Sequence, residues 1–105
     1  MNTRYYEDEK FINVDLSEDS DGFVFQTIAK ELEDAFHIKW KTQATGLDQR
    51  YWDFEMNNII LTLHLEHYIG ICVFADKNET NMEKAEDALK EIEKHFKTWN
   101  PTAKS

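Results

Sequence analysis

Cysteine, proline and glycine are all scarce in this chain of 105 residues, which has one cysteine, one proline and three glycines. The single cysteine, Cys72, cannot form an intramolecular disulfide and lies in an apolar stretch, so we expect a cytoplasmic protein. The three glycines, Gly22, Gly46 and Gly70, are too far apart in the sequence to form a phosphate-binding loop.

Long hydrophobic runs are also missing. No apolar stretch approaches the roughly 20 residues that a membrane-spanning helix needs. The first nine residues contain no apolar segment and become acidic by residue 7. We therefore expect neither a transmembrane helix nor a secretory signal peptide.

Positive charge is scarce as well. The chain has 12 lysines and arginines but 21 aspartates and glutamates, which gives a net charge of −9. Residues 51–76 contain no lysine or arginine and four carboxylates, Asp53, Glu55, Glu66 and Asp76. Binding to phosphate requires clustered basic side chains, so this balance argues against nucleic acid and anionic membranes as partners. It favours a protein partner with a basic surface.

The size and composition predict one globular domain. A chain of 105 residues with 41% hydrophobic residues can bury enough surface to fold without a metal ion or a disulfide. We expect a flexible N-terminal arm over residues 1–9, a single domain over residues 10–100, and a frayed tail over residues 101–105.

The centre of the chain predicts a β-hairpin. Apolar and polar side chains alternate on both sides of Asn57-Asn58, and asparagine tolerates the positive φ that a two-residue hairpin turn requires. This turn places Trp52 opposite Leu63. One face is then apolar and belongs to the core, whereas the other carries Tyr51, Asp53, Glu55, Ile60, Thr62 and His64.

Two amphipathic helices and three further strands complete the predicted fold. Apolar spacings of three and four residues predict helices over 22–36 and from Met82 to about Trp99, the second with a capping box formed by Thr80 and Glu83. Alternation predicts strands over 11–16 and 37–43, the latter near a sheet edge, and an apolar run predicts a buried strand over 69–75. The order β-α-β-β-β-β-α indicates an α+β two-layer sandwich, a largely antiparallel sheet with both helices on one face.

The connection between the last two strands leaves two registers open. A two-residue turn at Glu66-His67 directs Tyr68, Gly70, Cys72 and Phe74 into the core. A three-residue turn ending at Tyr68 instead directs Ile69, Ile71 and Val73 there, because a slip of one residue exchanges the faces of a strand. We favour the second register because it buries branched aliphatic side chains.

The open face of the sheet is the candidate binding surface. It combines aromatic and aliphatic side chains with carboxylates, as interfaces with basic proteins do. The predicted partner-binding residues are Tyr51, Asp53, Glu55, Ile60, Thr62 and His64. A second copy of the chain, or the arm over residues 1–9, is the alternative cover for this face.

His64, Glu66 and His67 form the densest group of potential ligands or acid–base residues. Residues three apart on a strand point to opposite faces, so the two histidines could share a metal ion only if the chain bends sharply at Glu66. A carboxylate beside His64 could make that histidine a general base. We predict a non-enzymatic protein without a metal ion or cofactor, and keep a small hydrolase centred on these three residues and a homodimeric ligand sensor as alternatives.

The runs from Tyr51 to Glu55 and from Ile60 to Ile71 resemble small acidic bacterial immunity proteins, which neutralise polymorphic toxins. The resemblance implies tight one-to-one inhibition of a toxin domain in the cytoplasm of the producing cell. It carries over no functional residue to this chain.

Overall fold

A computed structural model describes residues 1–100 as a six-stranded antiparallel sheet covered on one face by two helices. In chain order the elements are β1 (Arg4–Glu7), β2 (Phe11–Ser17), α1 (Gly22–Phe36), β3 (Trp40–Thr45), β4 (Gln49–Met56), β5 (Ile59–Glu66), β6 (Gly70–Asp76) and α2 (Met82–Lys97). The spatial order of the strands is β1-β2-β6-β5-β4-β3. The predicted α+β fold is therefore confirmed, with one strand more than the sequence indicated.

The central hairpin of β4 and β5 has the predicted register. Asn57 and Asn58 adopt φ values of 55° and 64°, the left-handed pair that a type I′ turn requires. Trp52 lies opposite Leu63, and the neighbouring core pair of Phe54 and Leu61 is fully buried. The alternation of the sequence thus fixes which face of this hairpin meets the helices.

Both helices lie where their apolar spacing predicts, but one cap differs. The Asp21 carboxylate accepts a hydrogen bond from the Phe23 N–H and begins α1. At the start of α2 the cap is Asn81, whose side chain accepts from the Lys84 N–H, so the prediction of Thr80 as the capping residue is wrong by one position. Asparagine satisfies a helix N-terminus at least as well as threonine, which explains the shift.

The N-terminal segment is a strand, which corrects the prediction of a flexible arm over residues 1–9. In β1, Arg4 lies opposite Asp15 and Tyr5 packs partly against the core. The Met1 amino group also donates a hydrogen bond of 2.8 Å to the Trp99 carbonyl oxygen just beyond α2. Strand β1 itself has only one side chain packed against the core, that of Tyr5, and one apolar position cannot show a periodicity. The predicted tail, residues 101–105, lies outside the described residues.

The edge strand β3 begins at Trp40, three residues later than predicted. His37 has a left-handed φ of 55° and its N–H donates to the Glu33 carbonyl, so it closes α1 instead of starting a strand. The expected position at the edge of the sheet is confirmed.

The connection between β5 and β6 is a three-residue turn over residues 67–69. Ile71 lies opposite Leu65 and is buried, as the favoured register predicts for the face of β6. Ile69 is not in the core, however: it belongs to the turn and 68% of its surface is exposed. The strand starts at Gly70, where Ser17 of β2 approaches the backbone too closely for a side chain.

No helix within residues 1–100 is both long enough and apolar enough to cross a membrane.

Candidate functional site

The sheet face away from the helices carries two rows of side chains that cross all six strands. Neighbours within a row are directly opposed residues of adjacent strands. The first row is Arg4, Asp15, Cys72, His64, Tyr51 and Ala44. The second row is Tyr6, Asn13, Phe74, Thr62, Asp53 and Thr42. Side chains that are distant in the sequence therefore meet on this open face.

All six predicted partner-binding residues lie on the open face, on the neighbouring strands β4 and β5. They form three opposed pairs, Tyr51 with His64, Asp53 with Thr62, and Glu55 with Ile60. Their accessibility differs, because Tyr51 and Ile60 are 38% and 41% exposed whereas Thr62 is only 9% exposed. Thr62 therefore offers little contact area to a partner.

The Asp53 carboxylate is held by two threonines. The Thr62 hydroxyl donates to one carboxylate oxygen at 2.6 Å, and the Thr42 hydroxyl donates to the other at 3.1 Å. Glu55 is more exposed, and its nearest cation, the Lys41 ammonium, lies 3.8 Å away. Of the two carboxylates that the sequence singled out, Glu55 is therefore the more accessible and Asp53 the more firmly held.

The imidazole of His64 lies among aromatic rings and a thiol. It stacks on the Tyr51 ring, contacts the edge of Phe74, and has its Nδ1 atom 3.9 Å from the Cys72 sulfur. Burial lowers the pKa of His64, an effect that the negative charge of Glu66 partly opposes. Burial also raises the pKa of the Cys72 thiol to about 12, so the thiol keeps its proton at neutral pH.

The two ring nitrogens of His64 differ in their surroundings. Nδ1 shares its contact with the Cys72 thiol, in which either group can donate according to the tautomer of the imidazole. Nε2 is buried and has no hydrogen-bond partner, and it is an unpaired donor in the tautomer whose Nδ1 accepts from the thiol.

A groove of about 380 Å³, which we call the central groove, runs over the middle of the open face. Arg4, Tyr6 and Asn13 line it from β1 and β2, Tyr51 and His64 line it from β4 and β5, and Cys72 and Phe74 line it from β6 between them. Asn13 is only 7% exposed and its Nδ2 atom has no hydrogen-bond partner.

A second depression of about 230 Å³ lies nearer the β6–α2 connection. Three carboxylates line it, those of Asp53, Asp76 and Glu79, together with the apolar side chains of Ile60 and Phe74. We call it the acidic recess. It combines a negative rim with apolar contact area.

The alternative site at His64, Glu66 and His67 assembles only in part. His64 and Glu66 both line the central groove from β5, whereas His67 lies in the following turn with its ring 3.9 Å from that of Tyr68. Within residues 1–100, no three histidine, cysteine, aspartate or glutamate side chains are grouped so that they could hold a metal ion.

Several residues of the open face were not singled out from the sequence. In the predicted alternation of residues 11–16, Asn13 faces away from the core. That alternation indicated the face of the sheet on which Asn13 lies, but not which residues of other strands lie beside it. Arg4 and Tyr6 were missed with β1, and Asp76 and Glu79 lie between the predicted strand over 69–75 and the predicted helix that begins at Met82. Their proximity to β4 and β5 follows from the strand order, which no local pattern encodes.

Comparison with known proteins gives a family but no activity. No curated protein and no solved structure is significantly similar to the chain. A family model described as a protein of unknown function, DUF3630, matches residues 1–94, a span that includes all six strands and most of α2. The chain therefore belongs to the DUF3630 family.

Proposed function

We propose that this chain is a non-enzymatic protein-binding module whose open sheet face holds a partner with a basic surface. The observation that carries the proposal is the acidic recess, in which Asp53, Asp76 and Glu79 surround the apolar side chains of Ile60 and Phe74. Lysine and arginine have an apolar stem and a charged head, so a recess with apolar contacts and a carboxylate rim fits them.

The surroundings of the recess support the same kind of partner. Residues 51–76 carry four carboxylates and no lysine or arginine, so this part of the sheet has a formal charge of −4. Tyr51 and Ile60 are accessible on this face and provide aromatic and aliphatic contact area. Complementary charge steers association, and apolar anchors slow dissociation. A second copy of this chain, with its own net charge of −9, is a poorer electrostatic match.

The resemblance to bacterial immunity proteins suggests the class of partner. It favours a basic toxin domain that the chain inhibits in a one-to-one complex in the cytoplasm. Inhibition of this kind needs no catalytic group in the chain, only a surface that covers the active site of the toxin or blocks its movement.

The test is capture from a lysate of the source organism by three immobilised forms of the chain. The face variant Glu55→Lys/Glu79→Lys reverses two exposed carboxylates, Glu79 in the recess and Glu55 opposite its lining residue Ile60. The control variant Asp87→Lys/Glu91→Lys makes the same change in net charge on the exposed side of α2. We expect the wild type and the control to retain one basic protein in stoichiometric amount at about 50 mM salt and to release it near 0.5 M. The face variant should retain little of it. Equal retention by the face and control variants would assign binding to another surface.

A second step tests the inhibitor role. The captured partner is expressed alone and together with the chain, and growth of the host cells is measured. Growth arrest by the partner that the wild-type chain relieves, and the face variant does not, supports inhibition of a toxin. A partner that is harmless alone contradicts this class while leaving protein binding in place.

A further inference from the structure

Two nitrogen atoms at the central groove have no hydrogen-bond partner, whereas the Asp15 carboxylate and the Tyr51 hydroxyl at the groove are already hydrogen-bonded. Asp15 accepts from the Arg4 guanidinium at 3.1 Å and from the Tyr6 hydroxyl. The Tyr51 hydroxyl donates to the Gln49 side-chain oxygen at 2.6 Å. The Asp15 carboxylate and the Tyr51 hydroxyl are thus already hydrogen-bonded to other side chains of the protein.

The unpaired groups are Nδ2 of Asn13 and Nε2 of His64, both buried. A buried polar group without a partner destabilises a fold, so such groups are uncommon and indicate a place where a ligand or a water molecule can bind. Asn13 lies on β2 and His64 on β5, with β6 between them. Both line the same groove, which is open to solvent along its apolar walls.

The apolar part of the groove is aromatic. The stacked rings of Tyr51 and His64 form one wall, and Phe74 contacts both His64 and Phe11, the latter at 5.0 Å between ring centroids. Flat molecules pack well against such surfaces. The volume of about 380 Å³ lies within the range of roughly 300–1,000 Å³ that is usual for small-molecule sites.

We propose that the central groove binds a small, flat, uncharged molecule that carries carbonyl oxygens. Its ring packs between the aromatic side chains, and its oxygens accept hydrogen bonds from Asn13 and His64. The terminal torsion of asparagine is soft, so the buried amide can turn towards a seated oxygen.

The charges at the groove disfavour an anion, which meets Glu66 and Asp15 while the Arg4 guanidinium is already paired with Asp15. The carboxylates attract a cation, but a cation cannot accept hydrogen bonds from Asn13 and His64. A neutral acceptor has neither disadvantage. This proposal does not depend on the protein-binding role, since it needs no protein partner and its hydrogen-bonding residues, Asn13 and His64, lie outside the acidic recess.

The experiment titrates the ¹⁵N-labelled chain with three probes that share one ring and differ in charge: benzamide, benzoate and benzylamine. We expect benzamide alone to give saturable shifts of the Asn13 side-chain amide and of the Cys72 and Phe74 backbone amides. Its dissociation constant should be on the order of 1 mM, as befits a ligand of so few atoms.

Two substitutions at Asn13 separate recognition from folding. Asn13→Asp keeps the shape and replaces the donor by an acceptor, so benzamide should bind at least about 10-fold more weakly and benzylamine more tightly. Asn13→Leu should weaken benzamide about 3- to 10-fold, whereas the control Gln26→Leu on the exposed side of α1 should leave it unchanged.

The proposal is overturned if benzylamine binds the wild type as tightly as benzamide does. It is also overturned if both Asn13 variants, shown to be folded by their amide spectra, bind benzamide like the control, or if no probe gives a saturable shift up to about 10 mM. None of these results bears on the capture of a basic protein.

Discussion

The phenol ring of Tyr51 lies flat against the imidazole of His64, with 4.3 Å between their centroids and 15° between their planes. The two residues are directly opposed on β4 and β5, so the stack is a consequence of the hairpin register that Asn57-Asn58 sets. By covering one side of the imidazole, Tyr51 helps to remove it from water, and burial is the main cause of the lowered pKa of His64.

The lowered pKa of His64 predicts a pH dependence of stability. As the pH falls below about 6.5, the unfolded chain protonates this histidine before the folded chain does, so the free energy of unfolding falls until the folded chain is protonated as well. His64→Phe keeps a flat ring for the stack and removes the titration. Urea denaturation at about pH 7.5 and about pH 5.5 should show a smaller loss for the variant, by under about 1 kcal/mol because the ring is only half-buried. Identical losses would show that His64 is not responsible.

The two threonine hydrogen bonds of Asp53 predict that it and Glu55 respond differently to the same charge reversal. Asp53→Lys leaves Thr62 without its acceptor in a nearly buried position and should lower the free energy of unfolding by about 2–3 kcal/mol. Glu55→Lys breaks only a long, exposed ion pair and should cost at most about 1 kcal/mol. Thermal and urea denaturation of both variants check this. A similar cost for both would mean that the threonine bonds contribute little.

The high pKa of the Cys72 thiol predicts slow alkylation of the folded protein. At about pH 8 a free thiol is partly ionised, whereas a thiol with a pKa of about 12 is almost entirely protonated, and the thiolate is the reactive form. Reaction with iodoacetamide should therefore be on the order of 1,000-fold slower for the folded chain than for the chain in denaturant. Because the chain has one cysteine, the mass of the labelled protein reports this rate directly. A folded-state rate close to that of free cysteine would contradict the pKa shift.

Gly70 is predicted to be the glycine least tolerant of substitution. Its φ is +127°, and a Cβ atom placed there would lie 2.2 Å from the Ser17 carbonyl oxygen. Gly70→Ala should destabilise the fold by at least about 3 kcal/mol or displace the connection after β2. Gly46→Ala is the control, since its Cβ would meet the Gln49 carbonyl oxygen at an ordinary 3.4 Å and should change stability by under about 1 kcal/mol. Circular dichroism melts of the two variants decide between these outcomes.

Local patterns predicted those parts of the fold that depend on neighbouring residues in the sequence. The Asn57-Asn58 turn and the apolar stripe of α2 were readable because each needs only a short window of sequence. β1 was not, because four residues with one core-facing tyrosine give no periodicity. The turn before β6 was misplaced because Ile69 is apolar but exposed, and hydrophobicity alone cannot tell a strand end from a turn.

The candidate site was only half predictable for a related reason. The β4 and β5 side of the open face came from one hairpin, whose register follows from its turn. The other side depends on the pairing of β2 with β6, which brings Asn13 opposite Phe74 from far along the chain. Pairing over such a separation is decided by the packing of the whole sheet, so the central groove could not be foreseen from the sequence.

The position of β6 makes it the link between two parts of the sheet. Because the strand order is β1-β2-β6-β5-β4-β3, β6 alone connects the β1–β2 pair to the three strands on its other side within the sheet. The central groove lies over β6 and takes residues from both sides. A molecule bound there would contact both parts at once, and we expect it to slow hydrogen exchange at the β2 and β6 amides together. Ligand binding would thus couple the opening of the two parts of the sheet.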